Sequence, residues 1–302
     1  MIDGSAIFFL SILLVCLGQL GNALIVLVDK HIVTNTSVTR PGVYAFFVSI
    51  ISGAVVVLLP FGVVHMPSPM TIFLSLDLGF IFIGSIILLY RALKHANATD
   101  VIAWLTAIST LSTFIFAALF LDETLPKTFP LALFFILVGM LLVGHFRFYA
   151  RSFKQVVGSG VLFGLSVVML KLLFSQISFV DAFFWSRMGN VVAALSLLLF
   201  PSIRKHLFTI SRNTSHQTGL LIVGNRILGG VAFLSVLYAL KLGSASIVNA
   251  LSSLQFVFIF VLIFVFRRFV PELYRHEFRK GHVLHKVAAM CFIIMGFFIL
   301  FA

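Results

Sequence analysis

The sequence predicts an all-α integral membrane protein of ten transmembrane helices, arranged as two inverted five-helix repeats. Three observations carry this expectation. First, 61% of the 302 residues are hydrophobic and 10% are charged, whereas a soluble domain carries roughly 25% charged residues to hydrate its surface. Lipid is the expected solvent, and 36 Phe residues suit acyl chains as well as a protein core. Second, the apolar residues form long runs without the two-residue alternation of a barrel strand. That leaves helices, because only helices and closed barrels pair every backbone N–H and C=O inside hydrocarbon. Third, short phrases recur between the two halves of the chain.

About 20 helical residues, rising 1.5 Å each, cross the hydrocarbon. The first span is 5–28; the residues before it carry no Lys or Arg, so a retained helix is expected rather than a cleavable leader. The second, 41–63, opens at Pro41-Gly42, and the His65–Pro69 stretch separates it from the third, 70–90. The fourth, 98–121, follows Asn97, whose side chain is expected to cap it. Asp122 to Pro130 breaks it from the fifth, 126–146. The sixth, 155–174, holds Gly160 and Gly164 at the spacing of close-packed membrane helices, read as a contact within the chain that would also serve a homodimer. A monomer or homodimer is therefore expected. The remaining spans are 179–200, 218–240, 244–266 and 283–302, the ninth capped by Ser residues of Gly243–Ser246.

A cut near residue 150 leaves five spans on each side, 1–150 and 151–302. Tyr90 and Ala92-Leu93-Lys94 are echoed by Tyr238-Ala239-Leu240-Lys241, each followed by small residues, at the end of the third span of each half. Ala45-Phe46-Phe47 with Ser49 is echoed by Ala182-Phe183-Phe184 with Ser186, near the start of each second span. A unit that crosses the bilayer an odd number of times places its duplicate upside down, and inverted repeats of this kind build many secondary transporters.

The stretch from Ala239 to Phe266, with Pro271-Glu272 beyond it, resembles the end of an EamA-type domain of the drug/metabolite transporter superfamily. Ala92 to Pro126 carries the matching pattern, with Asp122-Glu123 at the acidic position. Arg267-Arg268 stands where the family usually has Gly before the second acidic residue. The resemblance spans both halves and implies a ten-helix carrier; it names no cargo.

A charged side chain at the bilayer centre costs roughly 2.5–3.5 kcal/mol on insertion scales, so such residues usually face a bundle interior. Asp77, Arg187 and Arg226 lie well inside the spans. Arg187 shares a helix face with Asn190, and Asn225-Arg226 precedes Gly229-Gly230, which leave room for a neighbour or ligand. Asp77 and Arg226 occupy nearly equivalent depths in the two halves and are expected to meet. Gln19, Asn22, Ser109, Thr113, Asn249, Ser252, Ser253 and Gln255 are softer candidates for hydrogen bonds to cargo, and Trp104 for stacking. Lys171 is read as snorkelling to its helix end and Tyr90 as interfacial.

The expected function is a secondary transporter of a small polar metabolite, anionic or zwitterionic, working by alternating access in a cell membrane. Two buried cations against one acid favour carboxylate or phosphate, and a titrating Asp77 or a counter-substrate would couple the flux. Enzyme chemistry is not expected. Asp77 is the single acid well inside a span, too few for a metal-dependent transferase, and Cys16, Cys291 and the His276–His285 loop lack metal-ligand geometry. No cofactor is expected. The net charge of +12 is read as contact with anionic headgroups, with no groove-reading element for nucleic acid. Most Lys and Arg fall in the loops after spans 1, 3, 5, 7 and 9, which would put both termini outside, whereas the family resemblance implies termini inside. A non-transporting receptor or assembly subunit is the competing class.

Overall fold

A computed structural model describes the chain except for residues 1–3, 36–40, 97, 122, 124, 144–149, 202, 206, 208–215, 269–279 and 302. Asn97, Asp122 and Pro271-Glu272 thus lie outside the described residues. Among the described residues the regular elements are helices and no strand is present. They are α1 (Gly4–Asn35), α2 (Pro41–Ile51) with a 3-10 continuation (Ser52–Phe61), α3 (Pro69–His95), α4 (Ala98–Phe120) and α5 (Phe129–Val143). In the second half follow α6 (Ala150–Gln176), α7 (Phe179–Ser196), α8 (His216–Leu242), α9 (Ala245–Ala250), α10 (Leu254–Val265) and α11 (Lys280–Phe301). A 3-10 turn, Leu251–Ser253, joins α9 to α10 into one span. Among the described residues, nine segments are long and apolar enough to cross a bilayer. The fifth predicted span is met by α5, whose 15 described residues fall short of that length. The protein is a multi-pass helical membrane protein.

The long helices pair an exposed apolar stripe with a buried one. On α1 the exposed residues Leu10, Leu13, Leu17 and Leu20 recur at helical spacing, while Val15, Gln19, Ala23 and Val26 on the other side are buried. Lipid tails are as apolar as these side chains, so burial alone does not drive helices together; close approach of small residues and interhelical hydrogen bonds do. Gly160 and Gly164 of α6 lie against the Leu105 and Ser109 carbonyls of α4, with no space for a Cβ. The predicted glycine contact is therefore internal to the chain. Gly79 of α3 and Gly189 of α7 meet backbone to backbone, and a Cβ on either would overlap the other helix.

The seam between α5 and α11 is reciprocal. A Cβ on Gly139 would meet Ile293 Cγ1 at 2.7 Å and the Ala289 carbonyl at 2.8 Å; one on Gly296 would meet Ile136 Cγ1 at 2.6 Å and the Ala132 carbonyl at 2.9 Å. Phe135 and Phe292 stack at the centre, centroids 6.0 Å apart. The two strings, Ala132–Gly139 and Ala289–Gly296, share Ala, Phe, Ile and Gly at the same four places and run antiparallel.

Side chains also close helix ends. Ser68, Ser178 and Ser244 accept from Thr71, Asp181 and Ile247 N–H at the starts of α3, α7 and α9. Glu123 accepts from the Ala245 and Ser246 N–H groups and from both flanking hydroxyls, at 2.5–3.2 Å. The Lys30 ammonium donates to the Leu93 and Ala96 carbonyls at 2.6 and 2.8 Å. Lys171 donates to the Leu240 and Gly243 carbonyls at 2.8 and 2.6 Å. Lys171 therefore caps α8 rather than snorkelling, because the free carbonyls of a helix C-terminus attract a cation within reach. The loop between α2 and α3 is fastened to α7: Asp181 accepts from His65 N–H at 2.7 Å, and Trp185 Nε1 donates to the His65 carbonyl at 3.1 Å.

Candidate functional site

A cavity of about 630 Å³ lies among α1, α2, α3, α4, α6, α7, α8 and the α9–α10 span. That size suits a small metabolite. Its wall is mainly apolar, with polar side chains gathered in two groups.

The first group holds a carboxylate that sequence reasoning missed. Asp29, 5% exposed near the end of α1, accepts from Tyr44 Oη at 2.6 Å, Tyr90 Oη at 3.2 Å and Asn225 Nδ2 at 2.7 Å, and pairs with Arg226 Nη2. Arg226 Nη2 also donates to Tyr44 Oη at 3.1 Å, and Asn225 Nδ2 to the Ile25 carbonyl at 3.3 Å. One carboxylate thereby joins α1, α2, α3 and α8. The local reason is burial: an ionised acid in a low-dielectric site survives only with a counter-charge and hydrogen-bond donors around it, and here it has one cation and three neutral donors. Tyr90 is consequently a buried ligand of Asp29, not an interfacial ring.

The second group is a polar ladder across the middle of the bundle. Gln19 Nε2 donates to Ser252 Oγ at 2.9 Å, and Asn22 Nδ2 to Gln19 Oε1 at 3.2 Å. Asn249 Nδ2 donates to Ser109 Oγ at 3.1 Å and Thr113 Oγ1 at 2.6 Å. Gln255 lies two residues beyond the Leu251–Ser253 break and lines the same cavity. A 3-10 turn in mid-span often marks a functional position, since it redirects side chains and frees carbonyls.

Arg187 reaches the cavity from α7. Its guanidinium carbon sits 3.6 Å from the centroid of Phe233 and 5.6 Å from that of Phe183. Among the described residues it has neither an ion-pair partner nor a hydrogen bond. A ring face attracts a cation, but supplies no opposite charge.

Of the residues expected to meet cargo, Gln19, Asn22, Arg187, Arg226, Asn249 and Gln255 line the cavity. Asp77, Asn190, Asn225 and Trp104 do not. Asp77 is exposed on the outer face of α3, two residues from the buried Ser75 and Gly79 and hence on the opposite side of the helix. The expected Asp77–Arg226 pair is replaced by Asp29–Arg226. Asn190 is buried beside Gly189 where α7 meets α3, and Asn225 acts by holding Asp29. Trp104 is buried edge-on against Phe153, centroids 5.3 Å apart, and packs α4 against α6.

No family model and no curated protein matches the chain. Among solved structures, 26 chains match. One, a crystal structure described only as that of a protein, has a TM-score of 0.65 at 19% identity, covering 98% of this chain and 96% of its own. At that identity the likeness is one of fold.

Proposed function

We propose that the protein is a secondary carrier of the drug/metabolite transporter type, moving a small anionic or zwitterionic metabolite across a cell membrane by alternating access. The observation that carries the reading is Arg187, a cation with no acidic partner among the described residues, facing a cavity of metabolite size. A half-buried charge against mainly apolar walls is costly without a counter-charge, and an anionic cargo supplies the missing partner.

An inverted repeat of five spans is supported by contacts that exchange when the halves are exchanged. Lys30 of α1 caps α3, and Lys171 of α6 caps α8 through carbonyls at matching places in the Ala-Leu-Lys phrases. α1 packs on α8 as α6 packs on α3, and the seam of α5 with α11 maps onto itself. The two gates are unequal: α3 and α7 touch backbone to backbone, while α2 and α8, the corresponding pair, touch only sparsely. Rocking that exchanges the tight pair for the loose one would move the cavity's opening between the two faces of the membrane.

Metabolite profiling of cells and medium tests the reading. Cells producing the native chain should redistribute an anion or amino acid between the two compartments, and Arg187→Ala at equal membrane levels should not. Equal redistribution by the variant would remove Arg187 as a cargo ligand. No redistribution by the native chain would favour a receptor or assembly subunit.

A further inference from the structure

We infer, resting on the carrier reading above, that the cargo is an apolar monocarboxylate: one negative charge on an aryl or alkyl body, without an ammonium group. Charge balance gives the first argument. Among the described residues, Asp29, Arg187 and Arg226 are the charged ones that line the cavity, and Asp29 already neutralises Arg226. A single positive charge remains to be matched. A phosphate dianion would leave one negative charge uncompensated in a mainly apolar enclosure, where unpaired ions are disfavoured. A zwitterion would leave its ammonium facing only uncharged groups, because the one carboxylate that lines the cavity among the described residues is taken up by Tyr44, Tyr90, Asn225 and Arg226.

The walls give the second argument. Phe82 of α3, Phe163 of α6, Phe183 of α7 and Phe233 of α8 line the cavity from four different helices. Phe82 and Phe163 meet edge to face, centroids 6.0 Å apart, and Phe233 lies beneath the Arg187 guanidinium. Rings at such mutual angles receive another flat apolar body by stacking or edge contact. The guanidinium fork, set over one of those rings, can present its N–H edge to a carboxylate in bidentate fashion. Charge at one place and rings around it select an amphiphile with its acid at the end.

Binding to the purified full-length chain in lipid nanodiscs, by calorimetry, tests the class with five probes. The expected result is that 3-phenylpropionate binds at least tenfold more tightly than phenylalanine, phenyl phosphate, 3-phenylpropionamide and propionate. Arg187→Gln should erase the preference for the acid over its amide, Arg187→Lys should retain part of it, and unchanged melting temperatures would assign both effects to the site. Phenyl phosphate or phenylalanine binding as tightly as 3-phenylpropionate would overturn the charge argument, and propionate binding as tightly would overturn the argument from the walls. In either case, an anion or amino acid still moved by cells in an Arg187-dependent way would leave the carrier reading standing. Absence of both binding and Arg187-dependent redistribution would remove the cargo class and the carrier reading together.

Discussion

Lys171 stands to the C-terminus of α8 as Lys30 stands to that of α3, each ammonium donating to the Leu carbonyl of an Ala-Leu-Lys phrase and to a carbonyl just beyond it. Hydrogen bonds from a charged donor contribute about 1.5–3 kcal/mol. Lys30→Met and Lys171→Met should each lower the apparent melting temperature of the purified protein, by similar amounts. An unchanged melting curve for either would show that its carbonyls are equally well solvated without it.

The Asp29–Arg226 pair is buried, so removing one partner strands the other. Asp29→Leu and Arg226→Met should each destabilise by about 3–5 kcal/mol. The double variant should be more stable than either single one, because no lone charge remains in apolar surroundings. A double-mutant cycle on thermal unfolding checks this, and additive losses would contradict a direct pair.

Gly79 and Gly189 tolerate no side chain. Gly79→Ala should force α3 from α7 and cost about 1–3 kcal/mol, the usual range for overpacking. Gly230, on α8, has no heavy atom within 4 Å of a Cβ, so Gly230→Ala should be neutral or slightly stabilising. Comparing the two melting temperatures isolates steric contact from helix propensity.

Cavity exposure at position 187 is open to direct labelling. With Cys16 and Cys291 replaced by Ala, Arg187→Cys should react with a small charged thiol reagent, while Trp104→Cys, packed between α4 and α6, should be at least tenfold slower. Equal rates would mean that Arg187 does not face water.

Most of the fold could be read from hydropathy, because the cost of burying backbone in lipid forces nearly every span into a long apolar helix. The site was only half legible. Insertion cost flags Arg187, Arg226 and Asp77 alike, yet it is blind to facing: Asp77 is exposed on the outer face of α3, opposite Ser75. Asp29 escaped because the first span was closed at Val28, although α1 continues to Asn35. Its ligands Tyr44 and Tyr90 carry no charge to flag them. The α5 and α11 strings were open to a search for repeats, but Leu, Ile and Phe coincide so often in membrane helices that only reciprocal contact distinguishes kinship from composition.

The fastening of His65 to α7 has a practical outcome. The chain holds two indoles, one buried against Phe153 and one, at Trp185, tied by its ring N–H to the His65 carbonyl. Replacing Trp104 by Phe leaves an emission spectrum that belongs to that single attachment. Its wavelength would then follow detachment of the segment between α2 and α3 in real time, with no dye added.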